Sequence, residues 1–355
     1  MASRFRPSPA TGRLTEFPLI QDLARRFGRT GASVLRGIGD DTAVIRIPPG
    51  RLSLVTTDLL AEGIHFDLVT SGLDAVGYKA AVANLSDIAA MGGTPRYLLV
   101  SLAVPAGRTS SDVFELYQGM MRACRPHGVE LIGGDTSASR QGLFINLTVL
   151  GEARPGRLLL RSGARVGDLL YVTGTLGDSL AGLALLTSSS GTSRWRHLSP
   201  ADRRYLIRRH LHPEARLRMG QLLASGRLAT AAIDLSDGLS GDLAHLCEES
   251  DLGVLVDGAA LPLSPALRRY AKAAGLAAQD LALTGGEDYE LLFAVPPHRR
   301  SQVERLARRA GCPVTRIGRF EAKAFGRKLA GTDGALRPLL VTSYRHFEPT
   351  GKGRA

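Results

Sequence analysis

Apolar and polar positions alternate along the first hundred residues in a way that predicts strands and helices in turn. The apolar, β-branched run at 51–57 (RLSLVTT) predicts a short strand that ends at Asp58. Residues 73–91 are rich in alanine and are followed by Gly92, which predicts a helix that stops there. The run YLLVSLAV at 97–104 predicts a second strand. This order of elements is typical of an α/β domain.

The alternation continues to about residue 155. A second helix is predicted over about 109–124, and it leads into the apolar run VELIGG, Asp135 and the strand-like run FINLTVLGEA. The composition shifts after Pro155, which marks a candidate domain boundary. The sequence therefore predicts an N-terminal domain over 14–155, a C-terminal domain over 156–349, and flexible ends at 1–13 and 350–355.

The second half contains shorter segments separated by glycine. Residues 158–179 predict two strands around glycine turns, and residues 179–186 predict a helix. The run SSSGTS at 188–193 predicts an exposed loop. In both halves, an acidic glycine-rich turn is predicted to come directly after an apolar strand.

Composition indicates a soluble globular protein of two domains. The chain has 355 residues, of which 44% are hydrophobic and 22% are charged. No window approaches the ~18 uninterrupted apolar residues of a membrane span, and the first residues contain no apolar run typical of a secretory signal. Its three cysteines form no CxxC pair, which argues against a disulfide framework or a zinc site. We therefore expect a cytoplasmic protein that does not bind membranes.

The formal net charge of +12 raises the question of an anionic partner. The positive charge is concentrated in runs such as Arg203-Arg204, Arg208-Arg209 and Arg308-Arg309, within segments of helical pattern. These runs lack the interleaved aromatic residues of nucleic-acid-binding surfaces. They favour a solvated basic face, with attraction for small phosphorylated molecules as the second interpretation and nucleic acid as the third. We expect no specific nucleic-acid partner.

Six short acidic motifs carry the strongest chemical signal. They are GIGDD (37–41), TTD (56–58), LSD (85–87), GGD (133–135), DLSDG (234–238) and GGED (285–288). A single motif of this kind is usually a structural turn. Six of them, in a chain with 33 acidic against 45 basic residues, indicate a shared role. Clustered carboxylates repel one another, and hard oxygen ligands suit Mg²⁺.

The glycines beside these carboxylates suggest a phosphate-binding backbone. Glycine allows backbone N–H groups to approach an anion closely, so carboxylates and glycine together are typical of a metal–nucleotide site. The chain contains no GxxxxGK[ST] motif, no strand-bounded GxGxxG fingerprint and no HRD or DFG kinase motif. If it binds ATP, it uses a different architecture.

The ordered set of motifs resembles the thiamine-monophosphate kinase family. The motifs that carry the resemblance are GIGDDTAVI, TTDLLAEGIHF, YKAAVANLSDIAAMG, LIGGDTS, RSGARVGD, YVTGTLGDS, AIDLSDGL and GGEDYEL. The resemblance implies the two-domain aminoimidazole ribonucleotide synthetase-like fold, in the α/β (α+β) class. It implies an N-terminal sheet domain that forms a homodimer and a C-terminal α+β domain. It also implies Mg²⁺-dependent transfer of the γ-phosphoryl group of ATP to thiamine phosphate.

The resemblance also implies roles for individual residues. Those expected to bind Mg²⁺ are Asp41, Thr56, Thr57, Asp58, Asp87, Asp135, Asp234 and Asp237. Those expected to contact ATP are Tyr117, Gly134, Asp135, Arg161 and Ser236. Those expected to contact thiamine phosphate are His65, Glu287 and Tyr344, with Phe347 as the alternative to Tyr344. No residue is expected to act as a base or a covalent nucleophile, because the acceptor phosphate is itself nucleophilic.

Three related enzyme families and one other class of protein are alternatives. Selenophosphate synthetase carries a reactive Cys or selenocysteine near its N-terminus, whereas the first cysteine here is Cys124. The hydrogenase maturation protein of this fold carries a C-terminal Cys, whereas this sequence ends in GKGRA. Aminoimidazole ribonucleotide synthetase has a different set of motifs and is the nearest enzymatic alternative. A basic nucleic-acid-binding protein would explain the net charge but not the acidic motifs.

Overall fold

The computed structural model of the protein describes residues 16–28, 31–38, 42–188, 198–331 and 334–344. The chain divides into two compact units. Unit 1 comprises residues 1–49, 55–84 and 95–150, and unit 2 comprises residues 50–54, 85–94 and 151–355. The predicted domain boundary after residue 155 stays a prediction, and the predicted flexible ends at 1–13 and 350–355 lie outside the described residues.

Among the described residues up to Ala153, the chain forms a four-stranded sheet, a separate pair of short strands and three α-helices. In chain order these elements are α1 (Glu16–Phe27), β1 (Val34–Arg36), β2 (Val44–Ile45), β3 (Leu52–Ala61), α2 (Leu73–Ala90), β4 (Thr94–Pro105), α3 (Ser110–Cys124), β5 (Glu130–Ser139) and β6 (Phe144–Ala153). The strand order in the sheet is β3-β6-β4-β5, and β4 and β5 run parallel. Strands β1 and β2 form a separate antiparallel pair.

The two predicted helices of this half are confirmed as α2 and α3. Helix α3 begins after Thr109, whose hydroxyl accepts from the backbone N–H of Asp112 while the Asp112 carboxylate accepts from the backbone N–H of Thr109. The two helices approach closely where both carry glycine. A Cβ on Gly77 would lie 2.0 Å from a backbone oxygen of α3. A Cβ on Gly119 would lie 1.9 Å from a backbone oxygen of α2. Any larger residue at either position would force the helices apart.

The predicted ends of two strands were wrong. The strand predicted to end at Asp58 continues to Ala61, because β3 stays hydrogen-bonded along β6 and the pairing extends to Glu62, whose N–H donates to Leu143. Asp135 likewise lies inside β5 and not after it, because β5 remains in register with β4 as far as Ser139. Both acidic residues therefore belong to strands and not to turns.

The second half contains one mixed sheet with helices. Its elements are β7 (Leu169–Thr173), α4 (Asp178–Thr187), α5 (Pro200–Leu211), α6 (Leu217–Ser225), β8 (Ala231–Asp234), α7 (Leu239–Ser250), β9 (Leu252–Asp257), α8 (Pro265–Ala274), α9 (Ala278–Thr284), β10 (Leu291–Val295), α10 (Arg300–Ala310), β11 (Val314–Ala322), β12 (Arg327–Ala330) and β13 (Leu336–Pro338). The strand order is β13-β12-β9-β11-β7-β10-β8. The core of unit 2 includes Leu170, Val254, Leu267, Leu292 and Phe320, all of which are fully buried.

The structure corrects two predictions for this half. Residues 158–179 contain one strand, β7, and not two. Leu160 comes before that strand, and its carbonyl accepts a hydrogen bond from the backbone N–H of Ala232 in β8. The GGED motif follows a helix, α9, and not a strand, because the alanine-rich segment before it folds as a short helix. The predicted helix at 179–186 is confirmed as α4, and residues 189–193 of the predicted loop lie outside the described residues.

Two further sequence predictions concern the pairing of the cysteines and the hydropathy of the helices. Cys124, Cys247 and Cys312 are all free and buried, as the absence of a CxxC pair predicted. Burial raises the pKa of the Cys312 thiol to about 11, so this group is un-ionised at neutral pH. None of the helices in the described part of the chain has the length and apolar content that a membrane span requires.

Candidate active site

Unit 2 brings two of the acidic motifs together beside strands β8 and β10. The backbone N–H of Glu287 donates to the carbonyl of Ser236 at 2.7 Å, and that of Tyr289 donates to Leu235 at 2.9 Å. Because β8 and β10 are antiparallel, these bonds extend the sheet beyond its regular strands. The DLSDG and GGED motifs, 47 residues or more apart in sequence, therefore lie against each other.

A third acidic motif joins this site from the end of α2. The hydroxyl of Ser86 donates to Oδ2 of Asp234 at 2.7 Å, and both side chains are buried. Asp87 is the next residue of the same helix and is half-buried. All three residues belong to unit 2. The sequence analysis predicted Asp87 and Asp234 as metal ligands but did not find Ser86, which fixes one oxygen of Asp234.

The C-terminal segment lies along the DLSDG turn. The backbone N–H of Tyr344 donates to the carbonyl of Asp237 at 3.3 Å, and that of Thr342 donates to the hydroxyl of Ser240 at 3.2 Å. The side chain of Tyr344 is 46% exposed, so much of its ring is open to solvent. The structure therefore places Tyr344 beside a predicted metal ligand, whereas Phe347 lies outside the described residues.

Asp242 is a residue of this site that the sequence analysis missed. Its Oδ2 accepts from the backbone N–H groups of Gly238 at 3.0 Å and Asp237 at 3.2 Å. Burial, and then the negative charges of Asp234 and Asp237, raise the pKa of Asp242 to about 8. The only sequence signal was a further aspartate five residues after Asp237, on the first turn of α7.

Replacing Asp242 by Asn should change how the stability of the metal-free protein depends on pH. The folded-state pKa of Asp242 lies above its unfolded value of ~3.9, so its contribution to stability is lost as pH rises from about 4 to 8. Asn keeps an oxygen acceptor for both N–H groups but cannot ionise. In EDTA, we expect the melting temperature of the variant relative to wild type to rise by several degrees between pH 5 and pH 8.5. A difference that does not change with pH would contradict this assignment.

The donor groups of the site fit a hard cation. The carboxylates of Asp234, Asp237 and Asp87 are oxygen donors of the kind that Mg²⁺ prefers, and the negative charges of Asp234 and Asp237 add to burial in raising the pKa of Asp242. Among the described residues, no three His, Cys, Asp or Glu side chains converge to hold a metal alone.

Unit 1 places Asp58 and Asp135 on the two edge strands of its sheet. Two strands separate β3 from β5, and three gaps of ~4.8 Å give a separation of about 14 Å. Within unit 1 these two carboxylates therefore do not share one metal ion. Asp41, the third predicted ligand of this unit, lies outside the described residues.

The three residues of the TTD motif do not point the same way. Because side chains alternate along a strand, Thr56 and Asp58 point to one face of the sheet and Thr57 points to the other. The hydroxyl of Thr57 contacts the carbonyl of Leu147 and the hydroxyl of Thr148, both at 3.0 Å, on β6. The sequence had grouped all three as metal ligands, and the structure separates the side chain of Thr57 from the other two.

Two of the residues predicted to contact ATP in unit 1 have contrasting environments. Gly134 has a φ of +152°, and a Cβ there would lie 1.9 Å from the carbonyl oxygen of Val100, so only glycine fits. Tyr117 is buried on α3 and stacks on Phe27 of α1, with ring centroids 5.6 Å apart. Burial raises the pKa of Tyr117 well above its usual value. An ATP contact by the Tyr117 side chain stays a prediction.

His65 is half-buried in unit 1, whereas Arg161 belongs to unit 2. The Nδ1 atom of His65 accepts from the backbone N–H of Ala61 at 3.0 Å, which leaves Nε2 to carry the proton of the neutral ring. Arg161 is exposed in unit 2, and its backbone carbonyl accepts from Ser250. Their predicted contacts with thiamine phosphate and ATP stay predictions.

A buried ion cluster anchors the GGEDYEL motif. Glu290 is fully buried and accepts from Arg216 through two nitrogens at 2.6 Å, from Arg209 at 2.9 Å and from the hydroxyl of Thr173 at 2.6 Å. Burial alone would raise the pKa of Glu290, but Arg216 and Arg209 hold it below the usual range. The prediction of a solvated arginine face was therefore wrong for Arg209, whose side chain is 14% exposed.

Comparison with known proteins shows the family of the chain. Residues 39–153 match the family described as AIR synthase related protein, N-terminal domain, and residues 165–328 match its C-terminal domain. The thiamine-monophosphate kinase of Escherichia coli (strain K12) is 42% identical over 342 residues, which is 94% of this chain and 98% of that protein. The chain belongs to the thiamine-monophosphate kinase family. The resemblance predicted from the motifs is confirmed.

Solved structures of the family share the fold. The crystal structure of thiamine-monophosphate kinase from Stenotrophomonas maltophilia K279a is 34% identical, with a TM-score of 0.76 over 91% of this chain and 98% of that one. The structure described as AaThiL complexed with AMPPCP and TMP is 36% identical, with a TM-score of 0.74 over 95% of this chain and 99% of that one. The predicted two-domain aminoimidazole ribonucleotide synthetase-like fold is confirmed.

Proposed function

We propose that this protein transfers the γ-phosphoryl group of ATP to thiamine phosphate and forms thiamine diphosphate and ADP. The observation that carries the proposal is the convergence in unit 2 of the LSD, DLSDG and GGED motifs with the segment that ends at Tyr344. It places a predicted ATP contact, Ser236, beside predicted metal and substrate contacts. Family membership, with relatives matched over almost their whole length, supports the same reaction.

The residues of the site would act by binding and positioning. The acceptor is a phosphate monoester that is largely dianionic at neutral pH, so no general base is needed. Arg161 is proposed to contact the ATP phosphates, whereas Glu287 and His65 are proposed to orient thiamine phosphate. Bound Mg²⁺ would neutralise the phosphate oxygens of ATP. Separate Mg²⁺ ions are proposed to be held by the carboxylates of each unit: Asp58, Asp135 and Asp41 with Thr56 in unit 1, and Asp87, Asp234 and Asp237 in unit 2. Thr57 is proposed to take part only through its backbone oxygen, because its side chain points to the other face of β3.

Product formation gives the direct test of this proposal. The protein is incubated with Mg²⁺, ATP and thiamine phosphate, and thiamine diphosphate is separated by chromatography. We expect stoichiometric ADP and thiamine diphosphate, and no product when EDTA replaces Mg²⁺. ATP hydrolysis without thiamine diphosphate would contradict the proposal and would favour another reaction of the same fold.

The transfer should be direct, with no phosphorylated enzyme. A covalent route needs a nucleophile activated by a base, and no residue of the site is assigned that role. With γ-labelled ATP and no acceptor, we expect no label on the denatured protein. Label that resists denaturation and then moves to added thiamine phosphate would overturn direct transfer.

Tyr344 is proposed to pack against an aromatic ring of thiamine phosphate. Its half-exposed ring beside Asp237 suits stacking and cation–π attraction with a thiazolium ring, worth ~0.5–2 kcal/mol. We expect Tyr344→Ala to raise the KM for thiamine phosphate severalfold and to leave the KM for ATP little changed. Phe347→Ala serves as the comparison. If Phe347→Ala alone shows the substrate effect, Tyr344 is the wrong aromatic residue.

A homodimer formed through the sheet of unit 1 is part of the proposal. Val55, Thr57 and Leu59 are exposed on one face of β3, and Val55 is 67% and Leu59 55% exposed. Phe144 on the neighbouring strand β6 is 39% exposed. Exposed apolar residues at adjacent positions are typical of a protein interface. Sedimentation velocity should give the mass of two chains, and a Leu59→Asp variant should sediment as one.

A cytoplasmic location is also proposed. The three buried, free thiols suit a reducing compartment. Cell fractionation followed by the thiamine diphosphate assay tests this location, and activity confined to a membrane or secreted fraction would contradict it.

A further inference from the structure

His210 lies beside Glu287 in the interior of unit 2. It belongs to the last turn of α5 and is 3% exposed. Its Nδ1 atom lies 3.0 Å from the hydroxyl of Ser179 and 3.5 Å from Oε2 of Glu287. The ring therefore contacts the carboxylate that is proposed to meet thiamine phosphate, while it is itself shielded from solvent.

Glu287 has a backbone conformation that needs support. Its φ is +62° and that of Tyr289 is +52°, both in the left-handed region that non-glycine residues rarely adopt. The residue between them, Asp288, is buried and accepts from the backbone N–H groups of Gly177 at 2.6 Å and Ser179 at 3.1 Å. These bonds hold the GGEDYEL segment against the start of α4.

Consecutive residues of α5 contact the two glutamates of this segment. Arg209 binds Glu290, and His210 contacts Glu287. Ser179 contacts both Asp288 and His210, because its backbone N–H donates to the Asp288 carboxylate and its hydroxyl contacts His210. The backbone of the segment is thus fixed by Asp288 and Glu290, and the side chain of Glu287, which is 30% exposed, is contacted by His210.

We propose that His210 is a positioning residue that holds the carboxylate of Glu287 in the orientation that binds thiamine phosphate. This inference rests on the proposed function and on the substrate contact assigned to Glu287. A free glutamate side chain loses rotational entropy when it binds a ligand, and a side chain already held by a neighbour loses less. His210 acts through Glu287 and does not itself contact the substrate.

The inference predicts an effect specific to one substrate. His210→Leu introduces an apolar side chain of similar bulk and removes the contact with Glu287. We expect kcat/KM for thiamine phosphate to fall about five- to thirtyfold, because the imidazole that lies 3.5 Å from Oε2 of Glu287 is removed. The KM for ATP should stay within a factor of two. His210→Asn places an amide near the position of Nδ1 and should restore most of the loss.

A double-mutant cycle with Glu287→Gln separates positioning from a structural role. If His210 acts through Glu287, His210→Leu lowers kcat/KM in the wild-type background and has little further effect in the Glu287→Gln background. Ser179→Ala should show a smaller effect with the same dependence on Glu287. His245→Leu is the matched control, because His245 is exposed and contacts Glu248, outside the site.

Three results would overturn the inference. They are additive effects of His210→Leu and Glu287→Gln, an equal change in the KM for ATP, and no rescue by His210→Asn. If His210→Leu does not fold, the double-mutant cycle of Ser179→Ala with Glu287→Gln decides. Melting curves then confirm that the Ser179→Ala variant is folded. Failure of the proposed function itself differs from all of these, because the wild-type protein would then form no thiamine diphosphate.

Discussion

Replacing Asp58 or Asp135 by Asn should lower the turnover number by about 100-fold or more while the protein stays folded. Both side chains are proposed to bind Mg²⁺, and an amide oxygen is a much weaker ligand than a carboxylate. Asp135 is exposed and Asp58 is half-buried, so neither replacement removes core packing. Turnover is measured as thiamine diphosphate formed at saturating ATP and thiamine phosphate, over a range of Mg²⁺ concentrations.

The two variants also test a geometric consequence of the sheet order. Asp58 and Asp135 lie on opposite edge strands whose axes are about 14 Å apart, so their carboxylates are proposed to serve different ions or different ends of the substrate pair. We therefore expect the two variants to differ in their Mg²⁺ dependence. Asp280→Asn, which removes an exposed carboxylate on the first turn of α9, is the control and should behave as wild type. Near-normal turnover of both variants at saturating Mg²⁺ would show that the metal assignment is wrong.

Replacing Glu290 by Ala should destabilise the protein by about 3–5 kcal/mol, the usual cost of removing one partner from a buried ion pair. The change leaves Arg209 and Arg216 largely buried and without their shared carboxylate. It also removes the acceptor for the hydroxyl of Thr173, which lies in the centre of the sheet on β7. Chemical denaturation at neutral pH gives the free energy of unfolding of each variant.

Two further variants make the comparison specific. Glu290→Gln keeps the size and the oxygen acceptor but loses the charge, so we expect a smaller loss than for Ala. Glu321→Ala is the matched control, because it removes the carboxylate of a pair with Arg319 that is nearer the surface, Arg319 being 56% and Glu321 23% exposed. Exposed pairs contribute little to stability. Equal effects of Glu290→Ala and Glu321→Ala would show that the buried cluster does not stabilise the fold.

The same cluster connects stability to the site. Glu290 and Glu287 both lie in the seven-residue GGEDYEL segment, so a Glu290 variant that still folds should also bind thiamine phosphate less well. Asp288 lies between them and is fully buried, and burial raises its pKa to about 7 although Arg209 acts in the opposite direction.

The sequence by itself determined the local elements and the chemistry of this protein. Helices α2 and α3 and strands β4 and β6 were predicted to within a few residues, because their apolar periodicity, capping residues and glycine boundaries are local signals. The acidic glycine-rich motifs predicted metal and nucleotide chemistry, and their order predicted the family. These inferences need only the types and spacing of residues.

Only the tertiary structure decided which of these residues meet. Strand order places Asp58 and Asp135 on opposite edges of a sheet, and no local pattern encodes the order of strands. Burial of Arg209 depends on Glu290, which lies 81 residues further along the chain. The position of Asp242 matters only because the backbone of Asp237 folds back onto it. The burial of a side chain and its contacts depend on the folded structure. Arg209 of the basic run Arg208-Arg209 is therefore largely buried against Glu290, whereas Arg208 is exposed to solvent.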